Sequence, residues 1–340
     1  MENNQKRTVI TGMGHYLPDR VITSEEVEAK IRHQLNFSFS KGSIRRLSGV
    51  GERRYVNNGI HPSDLALKAS KMALDQANVT PREVDLIVFA ACTKDVGEPA
   101  TANILQEKLN ANHASVFDAQ NACNSFVNAL DIVDSLIRTG KCKTALIASG
   151  EVLSSFINWD LKKKKDLETG FAGLTLGDGA GAFVLKGSNE DHRGIQSTYF
   201  ESTGSMWELA TVMGGGTVAP RDHKASFFYS RSKELLKFAL EKIPQVVDKF
   251  LKKNNWKPQE VDLIFPHQAS EGIIKKVCKK TRIPLERCRF GLSKYGNTGA
   301  ASIPINLSEA NMEGVLQSGK KILLVGGASG FSIGLVSMVW

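Results

Sequence analysis

Cys123, His267 and Asn297 are the residues whose types and surroundings suit nucleophilic chemistry in this chain. Cys123 stands between the run Ser115-Val116-Phe117-Asp118 and a helical pattern carried by Phe126, Val127, Leu130, Val133 and Leu136, at or near a helix N-terminus. Unpaired N–H groups and the positive end of the helix dipole lower a thiol pKa there, and the thiolate is the nucleophile. An inert buried cysteine is the other reading, and the one given to Cys92, Cys142, Cys278 and Cys288. His267 directly follows the apolar run Val261–Phe265, at a strand end where loop residues of parallel sheets meet ligands. A lone histidine also serves structure alone. Asn297, in Tyr295-Gly296-Asn297-Thr298-Gly299, precedes another helical pattern, and asparagine beside glycine equally forms turns and helix caps.

An internal repeat relates the three. Pro81-Arg82-Glu83-Val84-Asp85-Leu86-Ile87 and Pro258-Gln259-Glu260-Val261-Asp262-Leu263-Ile264 agree at six of seven positions, 177 residues apart. The same offset lays Lys143–Gly150 on Lys320–Gly327 and Ala122-Cys123-Asn124-Ser125 on Gly299-Ala300-Ala301-Ser302. Each copy runs helix (Ser63–Ala77; Ser232–Leu251), short β-rich run (Val84–Ala90; Val261–Phe265), helix (Cys123–Arg138; Ala300–Leu316) and second apolar run (Thr144–Ala148; Lys321–Val325). Such alternation, in runs too continuous for one-sided burial, predicts an α/β chain with mostly parallel sheets covered on both faces. The repeat divides it into 1–177, with Cys123, and 178–340, with His267 and Asn297. A two-fold between the copies brings the two equivalent helix starts together, so Cys123, Asn297 and His267 are expected in one central pocket. The clusters Gly177–Gly181, Gly214–Gly216 and Gly326-Gly327 mark turns or close backbone approach, and neither GxGxxG after a strand nor GxxxxGK[ST] occurs.

Composition narrows the class. With 340 residues, 41% hydrophobic and 23% charged, the chain is long enough for one large core or two fused ones. No apolar run reaches the roughly 18 residues of a spanning helix, and Met1 to Arg7 is polar, unlike a signal peptide, which points to the cytoplasm. The five cysteines have no zinc-ligand spacing and read as free thiols in a reducing compartment. Of the net charge of +9, most falls in the second copy, in Lys233–Lys257 and Glu271–Arg282, which suits either an acidic partner or a solvated helix face. Nucleic acid is not expected, because the basic positions are not interleaved with stacking aromatics.

Ala122-Cys123, Gly177-Asp178-Gly179-Ala180-Gly181, Pro266-His267-Gln268-Ala269, Tyr295-Gly296-Asn297-Thr298 and the whole of Gly296–Leu307 resemble the β-ketoacyl-ACP synthase III family, thiolase-like condensing enzymes, in order from about Val9 to Val339. The resemblance implies a thiolase-like five-layer αβαβα fold from two duplicated halves, and a homodimer. It makes Cys123 the nucleophile that takes an acyl group from a thioester, and gives His267 and Asn297 hydrogen bonds to the carbonyl of a second thioester. The chemistry is then a Claisen condensation, decarboxylative or head-to-head, in fatty-acid or related lipid biosynthesis. Its tetrahedral oxyanion and enolate need fixed donors where charge develops. The backbone N–H groups of Cys123, Ser329 and Gly330 would form the oxyanion hole. Acyl-CoA or acyl-ACP thioesters would be the substrates, with no metal and no tightly bound cofactor.

Two departures from the family pattern stand out. In Val96-Gly97-Glu98-Pro99 the pattern has a phenylalanine that reaches the partner subunit's acyl pocket, where this chain has Glu98. Glu-Pro here resembles relatives that join two long acyl chains, in which the glutamate is proposed as a base acting across the dimer; a solvent-facing loop glutamate is the plainer reading. Phe37–Arg54 also lacks the tryptophan that stacks on the adenine of CoA, so delivery on an acidic acyl carrier protein gains weight, with Lys275, Lys276, Lys279 and Lys280 as its docking face. A non-condensing acyltransferase would use the same cysteine without needing both His267 and Asn297. A papain-like protease shares the order Cys, His, Asn, but not its local motif or a duplication. A basic interaction protein would leave the three residues without a common purpose.

Overall fold

The structure is a computed structural model that describes residues 6–190 and 192–340; of the polar start, Met1 to Gln5 lie outside them. Its main elements are β1 (Arg7–Tyr16), α1 (Pro62–Ala77), β2 (Leu86–Phe89), α2 (Thr101–Leu109), β3 (Ser115–Asp118), α3 (Ser125–Arg138), β4 (Thr144–Glu151) and β5 (Gly179–Ser188), followed by β6 (Gly194–Ser202), α4 (Ser232–Lys253), β7 (Leu263–Pro266), α5 (Glu271–Thr281), α6 (Ser302–Met312), β8 (Lys321–Ala328) and β9 (Ser332–Val339). One sheet has the order β1-β5-β4-β2-β3 and the other β7-β8-β9-β6.

Strand alternation builds five layers from these. In β2, Val88 faces a central core with Phe126, Leu130 and Ile303, while Ile87 and Phe89 face an outer core with Leu65, Ala69 and Leu105 of α1 and α2. In β7, Leu263 and Phe265 face the same central core, and Ile264 faces Val247, Phe250 and Val277 of α4 and α5. The order is therefore α1 and α2, first sheet, α3 and α6, second sheet, α4 and α5. Close packing has a local cause: a Cβ at Gly14 would stand 2.1 Å from the Ala69 carbonyl oxygen, and one at Gly12 as near that of Ala73. Glycine at these two places lets α1 lie directly on β1.

The repeat appears in the strand registers. Leu86 of β2 pairs with Ala145 of β4, and Leu263 of β7 with Ile322 of β8; the helices that follow start at Ser125 and Ser302. All these pairs stand 177 residues apart. Two expectations need correction. The sheets are mixed rather than mostly parallel, since β5 pairs antiparallel with both β1 and β4, and β9 with both β8 and β6. Apolar runs report burial on two faces but not strand direction. The division at 177 also cuts off a strand: β5, which begins inside the glycine cluster 177–181, belongs to the first sheet. A repeat offset gives the spacing of copies, not where one ends.

Phe126 is fully buried at the centre of the middle layer, edge-on to Phe183 with ring centroids 4.9 Å apart. Phe126→Ala is expected to destabilise the fold by about 3–5 kcal/mol through lost transfer energy and a cavity, read as a lower urea midpoint at unchanged slope.

Candidate active site

Cys123 sits on a strained bend before α3. The helix begins at Ser125, two residues later than the sequence pattern suggests, and Ala122 takes φ 46°, the left-handed region, at a cost of about 1–3 kcal/mol for a non-glycine residue. Its neighbours hold it there. Ser125 donates its N–H and its hydroxyl to the Ala122 carbonyl (3.0 and 2.6 Å), and the same hydroxyl accepts from the Asn121 N–H at 2.8 Å. Asn121 and Asn124 both donate side-chain N–H groups to Ser332 Oγ, the first residue of β9, which fastens the bend to the second sheet.

His267 follows the last residue of β7, and its N–H donates to the Val325 carbonyl of β8 at 2.8 Å. Its Nδ1 pairs with Ser302 Oγ at 2.9 Å, so Nε2 is the ring nitrogen left available. Asn297 is held by both strands of a narrow crossing: its N–H donates to the Thr175 carbonyl, and its carbonyl accepts from the Gly177 N–H at 2.9 Å. Gly177 has to be glycine there, because a Cβ would stand 2.1 Å from the Tyr295 carbonyl oxygen. Asn297 Oδ1 accepts from the Gly299 N–H, which leaves its side-chain N–H groups as the available donors.

Cys123, His267, Asn297 and Ser329 line a single cavity of about 400 Å³. Its other walls are largely apolar: Phe171 and Phe228 on one side, Leu235, Ala239 and Ile243 of α4 and Ile274 and Val277 of α5 on the other, with exposed Leu47 among its lining residues. Gly330, at φ 120°, turns the hairpin between β8 and β9 beside Ser329. The structure thus brings together the cysteine, histidine and asparagine expected to share a pocket. Glu98 is not among them: it is exposed on the loop before α2, away from the cavity of its own chain. On α5, Ile274, Val277, Cys278 and Thr281 are buried, which turns Lys275, Lys276, Lys279 and Lys280 outward. Lys276 reaches the cavity, Lys275 pairs with Glu271, and Lys280 donates to the Leu240 carbonyl.

Three further residues stand at the site: Glu151, which the sequence does not single out, Ser302, known there only as a repeat position, and Cys92, which reads there as an inert thiol. Glu151, at the end of β4, is fully buried and accepts from the N–H of Cys92 (2.8 Å), the N–H and hydroxyl of Thr93, and the N–H of Ala300 (3.1 Å). Burial pushes its carboxyl up to about 7 despite these donors. Its signal in the sequence is a lone carboxylate closing an apolar run. Ser302 is the repeat equivalent of Ser125. Cys92 first, and His267 with it, hold the Cys123 thiol well below the usual range in spite of its burial. Among the described residues, no group of three or more His, Cys, Asp or Glu side chains could hold a metal ion, and no helix is long and apolar enough to cross a membrane.

Known proteins with this sequence pattern and fold agree with one another. The family described as 3-Oxoacyl-[acyl-carrier-protein (ACP)] synthase III matches residues 117–204, and its C-terminal counterpart matches 251–340. A β-ketoacyl-[acyl-carrier-protein] synthase III of Clostridium perfringens is 37% identical over 333 residues, covering 97% of this chain and 98% of that one. The crystal structure of the 3-oxoacyl-[acyl-carrier-protein] synthase III of Aquifex aeolicus superposes with TM-score 0.86 at 35% identity, over 98% of this chain and 100% of that chain. OleA of Xanthomonas campestris, bound to cerulenin, shares the fold with TM-score 0.90 at 24% identity, over 100% of this chain and 99% of that chain.

The buried carboxyl predicts a pH effect. A folded pKa of about 7 lies above the unfolded value, so the neutral acid favours folding below the unfolded pKa, and that contribution is lost as pH rises from about 4.5 through 7. Glu151→Gln removes this dependence. Urea unfolding of both proteins at pH 5 and pH 8 is expected to show wild type losing about 3 kcal/mol relative to the variant across that interval.

Proposed function

The chain belongs to the 3-oxoacyl-[acyl-carrier-protein] synthase III family of acyltransferase-type condensing enzymes, and from that premise we propose that Cys123 carries an acyl group between two thioesters. The observation that carries this reading is that Cys123, His267 and Asn297 line one largely apolar cavity of about 400 Å³. An acyl chain or the thioester arm of a carrier fits such walls, and the reacting carbonyl then lies among the few polar groups.

In the first step His267 takes the Cys123 proton, and Cys123 Sγ adds to the thioester carbonyl carbon. The oxygen gains the negative charge, which the N–H groups of Cys123 and of the Ser329–Gly330 turn would stabilise. The carbon–sulfur bond to the carrier breaks, the carrier leaves as thiolate and takes the proton from His267, and an acyl-Cys123 thioester remains. In the second step a β-carboxyacyl thioester loses CO₂, and the electron pair moves into an enolate. Asn297 Nδ2 and neutral His267, in the tautomer with its proton on Nε2 and Nδ1 accepting from Ser302 Oγ, hydrogen-bond that oxygen. The enolate carbon attacks the acyl carbonyl, a carbon–carbon bond forms, and Cys123 leaves as thiolate. Acyl-CoA or acyl carrier protein delivers both groups, and the basic outer face of α5, with Lys276 at the cavity, suits an acidic carrier. No cofactor takes part in these steps.

Glu98 enters this scheme across a homodimer. Its exposure on the loop before α2, beside exposed Val96, leaves it available to a partner subunit's cavity. There it would take an α-proton from a second long acyl thioester in a head-to-head condensation that releases no CO₂.

Intact-mass spectrometry of the protein offered a panel of acyl-CoA and acyl-carrier-protein donors tests the first step. A single acyl adduct is expected on wild type and on Asn297→Ala, and none on Cys123→Ser, with loss of condensation in Asn297→Ala of about 10²-fold or more. Transfer from acyl-Cys123 to a small acceptor without carbon–carbon bond formation would identify a non-condensing acyltransferase instead. For Glu98, co-expression of Cys123→Ser with Glu98→Ala subunits is expected to restore part of the condensing activity that each variant lacks alone; product assays on the separated mixed dimer check it.

A further inference from the structure

The cavity that holds Cys123 continues into the outer core beneath α4 and α5. Ala239, Ile243, Ile264, Val277, Cys278 and Val325 line it, and all six are buried members of that core. Protein interiors are close-packed, so a void that reaches this far in is uncommon. At about 400 Å³ the whole cavity is more than twice the roughly 150 Å³ of an apolar cavity that stays dry and takes up benzene. Its lining changes character along both helices. Ser230, Ser232 and Ser270 stand where α4 and α5 begin; farther along come Leu236, Ala239 and Ile243 on α4, and Ile274, Val277 and Cys278 on α5, with exposed Lys276 as the one charged group among the lining residues. Ile264 and Pro266 of β7 and Val325 of β8 form the floor, so this apolar slot runs beside the strand that leads to His267. From His267 back to Ile264 the strand rise gives about 10 Å, and Leu235 to Ile243 spans about 12 Å of α4.

We propose that the slot between α4 and α5 holds the hydrocarbon chain of the acyl group, its carbonyl at Cys123 and its methyl end toward Ile243 and Cys278, so that the protein selects medium-length, straight-chain acyl thioesters. The proposal rests on Cys123 being the acyl nucleophile. Carbon–carbon bonds of about 1.5 Å at a tetrahedral angle advance an extended chain by about 1.3 Å per carbon, so a slot of about 10 Å takes about eight carbons. The arm of a carrier is the rival occupant, and its amide groups need partners. The slot has none to spare: β7 and β8 bond to each other in a parallel ladder, and the carbonyl that Pro244 frees in α4, of Leu240, is taken by Lys280 at 2.8 Å. An amide there would be buried without a partner, whereas the serines at the two helix starts can bond one. An acetyl group is too short to reach Ile264, and the slot walls would then lack atoms to pack against.

The test is the rate of acyl-adduct formation on the full-length protein, followed by intact mass, with straight-chain donors from acetyl to palmitoyl on both CoA and acyl carrier protein. In wild type the loading rate is expected to rise by up to about fourfold per methylene toward octanoyl and to fall for longer chains. Ala239→Leu, which narrows the slot partway along, should move the optimum to shorter chains and lower the octanoyl-to-acetyl ratio by about tenfold or more. Ile243→Ala, which opens the far end, should move the optimum to longer ones. Wild type that loads acetyl or butyryl fastest, or palmitoyl fastest, or all lengths alike, overturns the proposal. So does an Ala239→Leu protein slowed equally with every donor, the result expected if the slot holds the carrier's arm. Should Ala239→Leu fail to fold, an Ile243→Ala optimum unchanged from wild type overturns it as well. No adduct on wild type from any donor sinks the acyl-transfer reading itself, and this proposal with it.

Discussion

Burial of two helices between two sheets is the constraint from which the site follows. α6 shows almost no exposed residue from Ser302 to Ala310, and α3 buries Phe126, Val127, Leu130 and Val133 against the same core. A helix start in such a place has N–H groups that water cannot reach, and leaving one unpaired costs about 1–3 kcal/mol. The chain must bring polar groups to both starts, and the two-fold between copies puts the starts side by side. A polar pocket inside an otherwise apolar molecule is the outcome, and Cys123, His267 and Asn297 are among its walls.

Glu151 shows how closely that requirement binds the halves together. Its carboxylate accepts from Cys92 and Thr93 of the first copy and from Ala300 of the second, so a single group satisfies donors on both sides of the pocket. Ionised, it would be an uncompensated negative charge beside Cys123; with its carboxyl pushed up to about 7, it stays partly neutral near physiological pH. The low range of the Cys123 thiol and the raised Glu151 carboxyl are linked, because a full negative charge on Glu151 opposes a thiolate on Cys123.

The parts of this arrangement that repeat were legible in the sequence, and those that do not were obscure. The 177-residue offset predicts the paired strands, the paired helix starts and the meeting of Cys123 with Asn297, because each depends on local pattern and one symmetry. The antiparallel strands β5 and β9 were missed: the glycine-rich beginning of β5 looks like a turn, and the pairing partners of both are set by the closing of each sheet rather than by local preference. Glu151 and Cys92 were missed for a different reason. A carboxylate after an apolar run and a cysteine near a strand end both look ordinary until tertiary structure brings the Cys92 and Ala300 N–H groups to one carboxylate. Glu98 illustrates the opposite limit, a conspicuous residue whose position in one chain leaves it exposed.

Duplication made two equivalent positions, and their divergence explains why there is one site rather than two. The residue 177 positions after Cys123 is Ala300, whose N–H is taken by Glu151; the residue 177 positions after Glu151 is Ala328, which cannot return the favour. One helix start is therefore free to carry a reactive sulfur while the other is fastened beside it. The connections diverge in the same sense. β8 and β9 are joined through 329–331 only, but β4 and β5 are joined through 152–178, whose Leu153, Ile157, Leu161, Leu174 and Leu176 pack with Val27, Ile31 and Ile44 into a separate cluster. That longer connection also supplies Phe171 to the cavity and the Thr175 carbonyl and Gly177 N–H that grip Asn297. The first copy thus contributes Cys123 and the cover, and the second most of the apolar cavity walls together with His267 and Asn297. Neither copy alone holds a reacting group and the space for what it would react with.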